Sequence, residues 1–174
     1  MIDRKKRNEN ILNGCANVFY EKGIEKATMR SFSDELGYSP ATIYQSYKDK
    51  HEIVENCLRY CVEHRGEIYD RVFAGNEKKP KKVFSAIKKE KEELLKLNVV
   101  IARILTSPGY NSMSKEVQAV ENSMAERSLK NYDKRVASLF TLYIGALNIY
   151  SVNGNDDYFQ QQEEFIKSEL EKCF

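Results

Sequence analysis

The chain has 174 residues, a formal net charge of +2, and 41% hydrophobic against 31% charged residues. This balance is typical of a folded globular protein and excludes a largely disordered chain, while a charge so close to zero says little about nucleic acid. The length suffices for one ordinary domain or two small ones, with a core that needs no disulfide or metal.

Two features of the sequence bear on the cellular compartment in which the protein is found. The N-terminus is charged and no apolar run follows it, so we expect no signal peptide. The most apolar stretch, Val99–Thr106, is too short to span a membrane and contains Arg103. We therefore expect a cytoplasmic protein with no membrane partner.

The cysteines and histidines are not spaced like metal ligands. The four cysteines are Cys15, Cys57, Cys61 and Cys173. Cys57 and Cys61 lie four residues apart on a predicted helix, so they share one face, and a buried reduced pair is favoured over a metal or redox site. No cofactor or metal is expected.

Apolar residues recur at three- and four-residue spacing along the chain, which predicts an all-α fold of about nine helices. The first helix is predicted from about Asp3 to Lys22, where Gly23 ends it. Its inner stripe includes Ile11 and Phe19.

Local signals place the next three helices. Thr28 caps the second helix, Gly37 makes a turn, and Ser39 caps the third, with Pro40 preorganised at its first position. Ile43 and Tyr47 are predicted to point inward. Asp49 and Glu52 then resemble a capping box that begins a long fourth helix reaching Phe73.

Further along the chain the helix boundaries are less marked. Gly75–Asn76 and Ser107–Gly109 are the clear breaks, and between them we predict a helix over Val83–Leu95 and a buried segment over Val99–Leu105. Two helices are predicted between Ser112 and Asn153, dividing near Ser128–Asp133. A last helix runs to about Lys172. The stretch Val136–Val152 is apolar on more than one face, so it must be covered on at least two sides.

The segment Thr28–Lys50 carries the strongest functional signal. Two short helices around a glycine turn, the second with small and hydrogen-bonding side chains, are typical of a unit that lies in a DNA major groove. Ala41 and Thr42 can place methyl groups against thymine, and Gln45 can read adenine. Tyr44 can donate to a phosphate, and the helix starts near Thr28 and Lys50, with Arg30, are candidate anion sites. Taken singly, Ser39 is better explained as a cap, and Thr42 and Gln45 as solvated surface.

The same residues form a longer pattern. Its parts are Ile11, Ala16, Phe19, Gly23 and Ile24, then Ala27–Arg30, Leu36–Tyr44 and Tyr47–Lys50. Over about residues 8–60 this pattern resembles the DNA-binding domain of the tetracycline-repressor (TetR) family. Phe32-Ser33 and Ser46-Tyr47 depart from the usual Ile-Ala and His-Phe; Ser33 keeps a small residue at the helix crossing, and Ser46 alters a phosphate contact.

The resemblance implies an architecture and a set of roles. Residues 1–50 would form the DNA-binding domain, continuing into a linking helix over about 50–74, and residues 51–174 a helical domain for effector binding and dimerisation. The implied DNA contacts are Thr28, Arg30, Ser39, Pro40, Ala41, Thr42, Tyr44, Gln45 and Lys50. The implied partner is a palindromic operator, read by a homodimer whose recognition helices lie about 34–36 Å apart.

The last two helices would form the dimer interface, and the apolar excess of Val136–Val152 agrees with this. The candidate interface residues are Leu139, Tyr143, Gly145, Ala146, Tyr150, Phe159, Phe165 and Ile166. A pocket for a small hydrophobic or aromatic effector is also implied. Its candidate lining is Cys61, Tyr69, Phe84, Leu94, Ile104, Leu105, Met113, Val117, Phe140 and Tyr143, all of which are equally good core residues.

The leading hypothesis is therefore a homodimeric repressor released from its operator by a small molecule. One alternative is a DNA-binding activator or architectural factor without effector control. A small helical enzyme is a remote alternative, because the two histidines and the absence of a nucleophile–base arrangement argue against catalysis.

Overall fold

The computed structural model describes residues 4–74, 79–130, 132, 134–154 and 156–172, and across these ranges the fold is all-α. The helices are α1 Arg4–Lys26, α2 Met29–Leu36, α3 Pro40–Tyr44, α4 Lys50–Phe73, α5 Pro80–Lys89, α6 Lys91–Thr106, α7 Ser114–Leu129, α8 Lys134–Asn153 and α9 Asp156–Lys172. A 3-10 turn at Asn111–Met113 precedes α7. Among these helices none has the length and apolar character that crossing a membrane requires.

The chain divides into two compact units, and the division cuts α4, α6 and α7 rather than falling at residue 50. The first unit comprises Met1–Glu63 and Val100–Val117, and the second comprises His64–Val99 and Gln118–Phe174. The first unit therefore holds α1 to α3 together with two segments that arrive later in the chain.

The core of the first unit forms where α1, α2 and α3 meet. Phe19 and Phe32 pack edge to face with ring centroids 5.4 Å apart. Ile43 from α3 is fully buried, as the sequence predicts. Gly14 permits the close approach of α2, since a Cβ there would lie 2.4 Å from Leu36 Cδ2. Burial of these apolar side chains stabilises the arrangement of the three short helices.

The core of the second unit is aromatic. Phe140 and Tyr143 of α8 are fully buried; the first packs on Phe73 with centroids 5.3 Å apart, and the second packs on Phe84 at 5.2 Å. Phe159 of α9 lies 5.8 Å from Tyr143. The sequence predicts that α8 is covered on at least two sides; within the chain Phe140 and Tyr143 are covered, whereas Leu142 and Ile149 are exposed.

Most predicted helix limits agree with the structure, and one does not. Gly23 has φ 78° and interrupts α1, and the division between α7 and α8 falls within Ser128–Asp133 as predicted. The single helix predicted through Val83–Leu95 is wrong, because α5 ends at Lys89 and Glu90 follows as its C-cap, with its N–H donating to the carbonyl oxygens of Ala86 and Ile87. The predicted segment Val99–Leu105 is the continuation of α6. Asp3, Gly75–Asn76 and Asn155 lie outside the described residues.

The cysteines of the first unit are buried. Cys57 and Cys61 have sulfurs 4.0 Å apart, well beyond the roughly 2.05 Å of a disulfide bond. Burial raises the pKa of the Cys15 thiol to about 12. The Cys15 thiol is therefore held protonated inside the fold. Cys173 lies outside the described residues.

Candidate nucleic-acid interface

The start of α2 is fixed by a capping box between Thr28 and Ser31. The Ser31 N–H donates to Thr28 Oγ1 at 3.2 Å, and the Thr28 N–H donates to Ser31 Oγ at 2.9 Å. Thr28 was predicted as the cap, but Ser31 was not recognised as its partner, because the usual box carries Glu or Gln at that position. The other N–H groups of the first turn of α2 have no acceptor within the helix, and this helix start is exposed.

The turn into α3 is set by Gly37 and Ser39. Gly37 has φ 66°, a left-handed conformation that glycine adopts without penalty, and it ends α2. Ser39 Oγ accepts the Thr42 N–H at 3.2 Å and lies 2.9 Å from Thr42 Oγ1, so the two hydroxyls are joined at the beginning of α3. Pro40 occupies the first helical position, as predicted.

One face of α3 is buried and the other is open to solvent. Ile43 and the following Tyr47 are buried, whereas Tyr44 is 51% exposed and Gln45 is exposed beside it. The other residues predicted to contact DNA also reach solvent. Thr28, Arg30, Ser39, Pro40 and Ala41 are exposed, and Thr42 and Lys50 are half-buried. The structure thus brings all of these residues to the solvent side of α2, α3 and the start of α4.

Lys50 begins α4 and also contacts the corner between α1 and α2. Its Nζ donates to the carbonyl oxygen of Glu25 at 3.3 Å. Partial burial lowers the pKa of the Lys50 ammonium, with the nearby Glu25 carboxylate opposing that effect. One of the three ammonium donors is thereby used within the protein, which leaves donors for an external anion.

The cap of α4 differs in part from the predicted box. Asp49 Oδ1 accepts the Glu52 N–H at 2.9 Å, as a capping box requires. Glu52 Oε2, however, accepts the N–H of Lys48 at 2.7 Å rather than that of Asp49. The carboxylate of Glu52 therefore fixes the loop between α3 and α4, one residue further from the helix than predicted.

A contact that sequence reasoning missed ties α6 to α1. Arg103 Nη1 donates to the carbonyl oxygen of Phe19 at 2.9 Å and also to that of Tyr20. These carbonyls lie in the last turn before Gly23, where helical acceptors have no intrahelical donor. The positive side chain thus caps the negative end of the first segment of α1.

The predicted effector-pocket residues fall in both units. In the first unit Cys61, Ile104 and Val117 are buried, and Leu105 and Met113 are half-buried. In the second unit Tyr69, Phe84, Leu94, Phe140 and Tyr143 are buried. The Tyr143 hydroxyl donates to Glu163 Oε1 at 3.3 Å, and burial raises the pKa of this phenol. All ten therefore contribute to the packing of their own units.

The predicted dimer residues are divided by burial. Leu139, Tyr143, Ala146, Phe159 and Ile166 are buried within the second unit, Gly145 and Tyr150 are half-buried, and Phe165 is 50% exposed. The side chains of the five buried residues are already covered by the chain itself, so they offer little surface to a second copy. Among the side chains that the structure describes on α8 and α9, the large apolar ones that are exposed are instead Leu142 (37%), Ile149 (44%), Tyr158 (36%) and Phe165.

Comparison with known proteins gives a family match at the N-terminal end. Residues 11–57 match the family described as "Bacterial regulatory proteins, tetR family". None of the curated proteins matches the chain.

Solved structures match the chain over nearly its whole length. A transcriptional regulator (TerR/AcrR family) from Aquifex aeolicus VF5 has 18% identity and a TM-score of 0.64, with 96% of this chain and 99% of that chain covered. A TetR transcriptional regulator from Legionella pneumophila has 14% identity and a TM-score of 0.65, covering 97% of each chain. SmeT, the repressor of the Stenotrophomonas maltophilia multidrug efflux pump SmeDEF, has 15% identity and a TM-score of 0.59, covering 91% and 85%. At these identities the likeness concerns the fold. Residues 11–57 thus match the tetR family of bacterial regulatory proteins, and the fold of the chain is similar to that of solved transcriptional regulators described as TetR or TerR/AcrR proteins.

Proposed function

We propose that the protein is a sequence-specific DNA-binding transcriptional regulator, and not an enzyme, that reads DNA with α3. The observation that carries this proposal is the two-sided nature of α3. Ile43 is anchored in the core, and the opposite side presents Ala41, Tyr44 and Gln45 to solvent on a helix whose start is capped by Ser39. A recognition helix requires this combination of a fixed inner face and a small, polar outer face.

The proposed contacts separate into two kinds. Gln45 is suited to a bidentate hydrogen bond with adenine, and Ala41 and Thr42 to contact with a thymine methyl group. Tyr44 and Lys50 are suited to phosphate, as is Arg30, which is exposed on the first turn of α2. Ser39 and Pro40 hold the helix start, where backbone N–H groups favour an anion. Thr28 has a similar role at the start of α2.

The exposed apolar side chains of the last two helices support a homodimer. Leu142, Gly145 and Ile149 lie on one stripe of α8, and a Cβ on Gly145 would meet nothing within 4 Å in the single chain. Tyr158 and Phe165 are two turns apart on α9 and are also exposed. A second copy covering these side chains would place two copies of α3 on a palindromic operator.

We further propose repression relieved by a small hydrophobic or aromatic effector in the second domain, in the cytoplasm. Support comes from the fold shared with SmeT, which is a repressor. In this proposal residues 1–50 form the DNA-binding domain and α4 is the linking helix. Residues 51–174 form the domain for effector binding and dimerisation. A regulator without an effector is the second candidate, because the predicted pocket residues of the second unit are buried in its aromatic core.

Selection from a random duplex library with the purified chain tests the proposal. We expect enrichment of a two-fold symmetric sequence, and fluorescence anisotropy should show binding that weakens as salt increases. A scrambled duplex of the same length and composition is the matched control. Equal affinity for both duplexes at all salt concentrations would contradict the proposal.

A further inference from the structure

The second unit carries a surface groove between α5 and α9. Its volume is about 300 Å³, at the lower end of the range of small-molecule sites. Its lining residues are Lys81, Phe84, Ser85, Lys88, Lys167, Leu170 and Glu171. It shares only Phe84 with the predicted effector pocket, so it is a separate candidate site.

The floor of the groove is apolar and fixed. Phe84 and Leu170 are 6% and 2% exposed, so each shows the groove only a small part of its surface. The ring of Phe84 is held by Tyr143, with centroids 5.2 Å apart. The small side chain of Ser85 leaves room above this floor. A slender aliphatic chain fits such a floor better than a polar ligand does.

The rim of the groove is positively charged. Lys81 and Lys167 have no carboxylate within 4 Å among the described residues, whereas Lys88 is paired with Glu163 Oε2 at 2.9 Å. Among the residues that the structure describes, Glu171 is the one carboxylate in the lining. Within the same ranges, two ammonium groups therefore line the groove with no carboxylate within 4 Å, against one negative charge.

The beginning of α5 adds to this positive potential. Lys79 precedes the helix and provides no side-chain cap, and Pro80 occupies its first position. Because Lys81 lies in the first turn of α5, its N–H has no acceptor within the helix. The positive end of the helix dipole and the Lys81 side chain thus lie at the same end of α5.

The geometry points to a binding site for a dissolved single-chain anionic amphiphile, with a carboxylate or phosphate head group. The head group binds Lys81 and Lys167, and the aliphatic chain lies over Phe84 and Leu170. The ligand comes from solution rather than from a bilayer, because Val83 and Ile87, the apolar residues by which α5 would insert, are already buried. This inference is independent of DNA binding.

Isothermal titration calorimetry of the whole chain tests the site with decanoate, decyl phosphate and 1-decanol below their aggregation concentrations. We expect at least one anion to bind, with an affinity that falls by up to about fourfold for each methylene removed from its chain. The variant Lys81→Gln/Lys167→Gln should weaken anion binding about tenfold or more and change 1-decanol binding by less than about twofold. Lys89→Gln, on α5 but outside the lining, is the matched control and should bind as the wild type does.

A second variant separates the groove from other sites. Ser85→Trp fills the space above Phe84 and should abolish binding of both anions and of 1-decanol, with an unchanged circular dichroism spectrum. Failure of both anions to bind the wild-type chain overturns the inference. Anion binding that survives unchanged in the lysine variant and in Ser85→Trp also overturns it.

Discussion

Arg103 donates a hydrogen bond from Nη1 to the carbonyl oxygen of Phe19, at 2.9 Å, across a separation of 84 residues. The contact joins α6 to the end of the helical segment that precedes Gly23. Because α2 and α3 follow directly, this guanidinium helps to set the position at which the proposed DNA-reading helices begin. The carbonyl oxygens of Phe19 and Tyr20 are therefore the partners of Arg103, which is the one charged residue within the most apolar stretch of the sequence.

Removal of this cap should destabilise the protein. Arg103→Ala leaves the carbonyls of Phe19 and Tyr20 to solvent, and since the side chain is exposed we expect the free energy of unfolding to fall by about 1 kcal/mol. Arg103→Lys keeps the positive charge and N–H donors but loses the planar guanidinium, so its loss of stability should be smaller. Urea unfolding at neutral pH measures both. Equal stability of Arg103→Ala and the wild type would contradict the capping role.

The two serines of α2 offer a matched pair. Ser31→Ala removes both hydrogen bonds of the Ser31 hydroxyl, the one it accepts from the Thr28 N–H and the one it donates to the Thr28 carbonyl oxygen, and should cost about 1 kcal/mol of unfolding free energy. The hydroxyl of Ser33 is buried and has no hydrogen-bond partner among the described residues, so Ser33→Ala should be neutral or slightly stabilising. Thermal or urea unfolding distinguishes them, and a larger loss for Ser33→Ala would refute this account of the helix start.

Stability should fall at alkaline pH because of Cys15. Burial raises the pKa of this thiol from 9.0 to about 12, so the folded state holds the proton more tightly than the unfolded chain. The corresponding stability is fully present below about pH 9 and is lost as the pH rises towards about 12. Between about pH 8 and about pH 10.5 the loss should be about 2 kcal/mol.

The variant Cys15→Ala isolates that contribution. It creates a small cavity, so its stability at neutral pH is lower, but its unfolding free energy should change less between about pH 8 and about pH 10.5. Some slope will remain, because burial also raises the pKa of Tyr47 to about 12. Urea unfolding at the two pH values provides the comparison, and identical slopes for the variant and the wild type would rule out Cys15 as the source.

Dimerisation should depend on the exposed stripe of α8. Ile149→Glu places a charge on a side chain that is 44% exposed in the single chain, so the monomer should remain folded while the proposed dimer is disrupted. Val120→Glu, on α7 and 36% exposed, is the control and should not change the assembly. Sedimentation velocity should show a monomer for Ile149→Glu alone. A dimer that persists in this variant would place the interface elsewhere.

Local signals made much of the first unit predictable. Thr28, Gly37 and Ser39 act within a few residues of themselves, so the start and end of α2 and the start of α3 follow from the sequence, as does the exposed side of α3. The family resemblance is confirmed over residues 11–57. The partner of Arg103 was not predictable, because no pattern links residues so distant in the chain.

Helix limits and burial in the second unit were harder to predict, for two physical reasons. No glycine or proline marks the break at Glu90, and apolar residues continue at helical spacing across it. On α8 nearly every face is apolar, so periodicity does not distinguish Tyr143, which is buried, from Leu142 and Ile149, which are exposed. The distinction depends on where α9 packs, which is a property of the whole unit.

The central claim is that the exposed side of α3 reads base edges in a symmetric pair. The most direct test compares Gln45→Ala and Tyr44→Phe with the wild type by anisotropy on the selected operator and on all of its single-base variants. We expect Gln45→Ala to lose about 1–3 kcal/mol of discrimination at one position in each half-site, and Tyr44→Phe to weaken binding to every duplex alike. An unchanged preference at every position in Gln45→Ala, or a loss confined to one half-site, would contradict the claim.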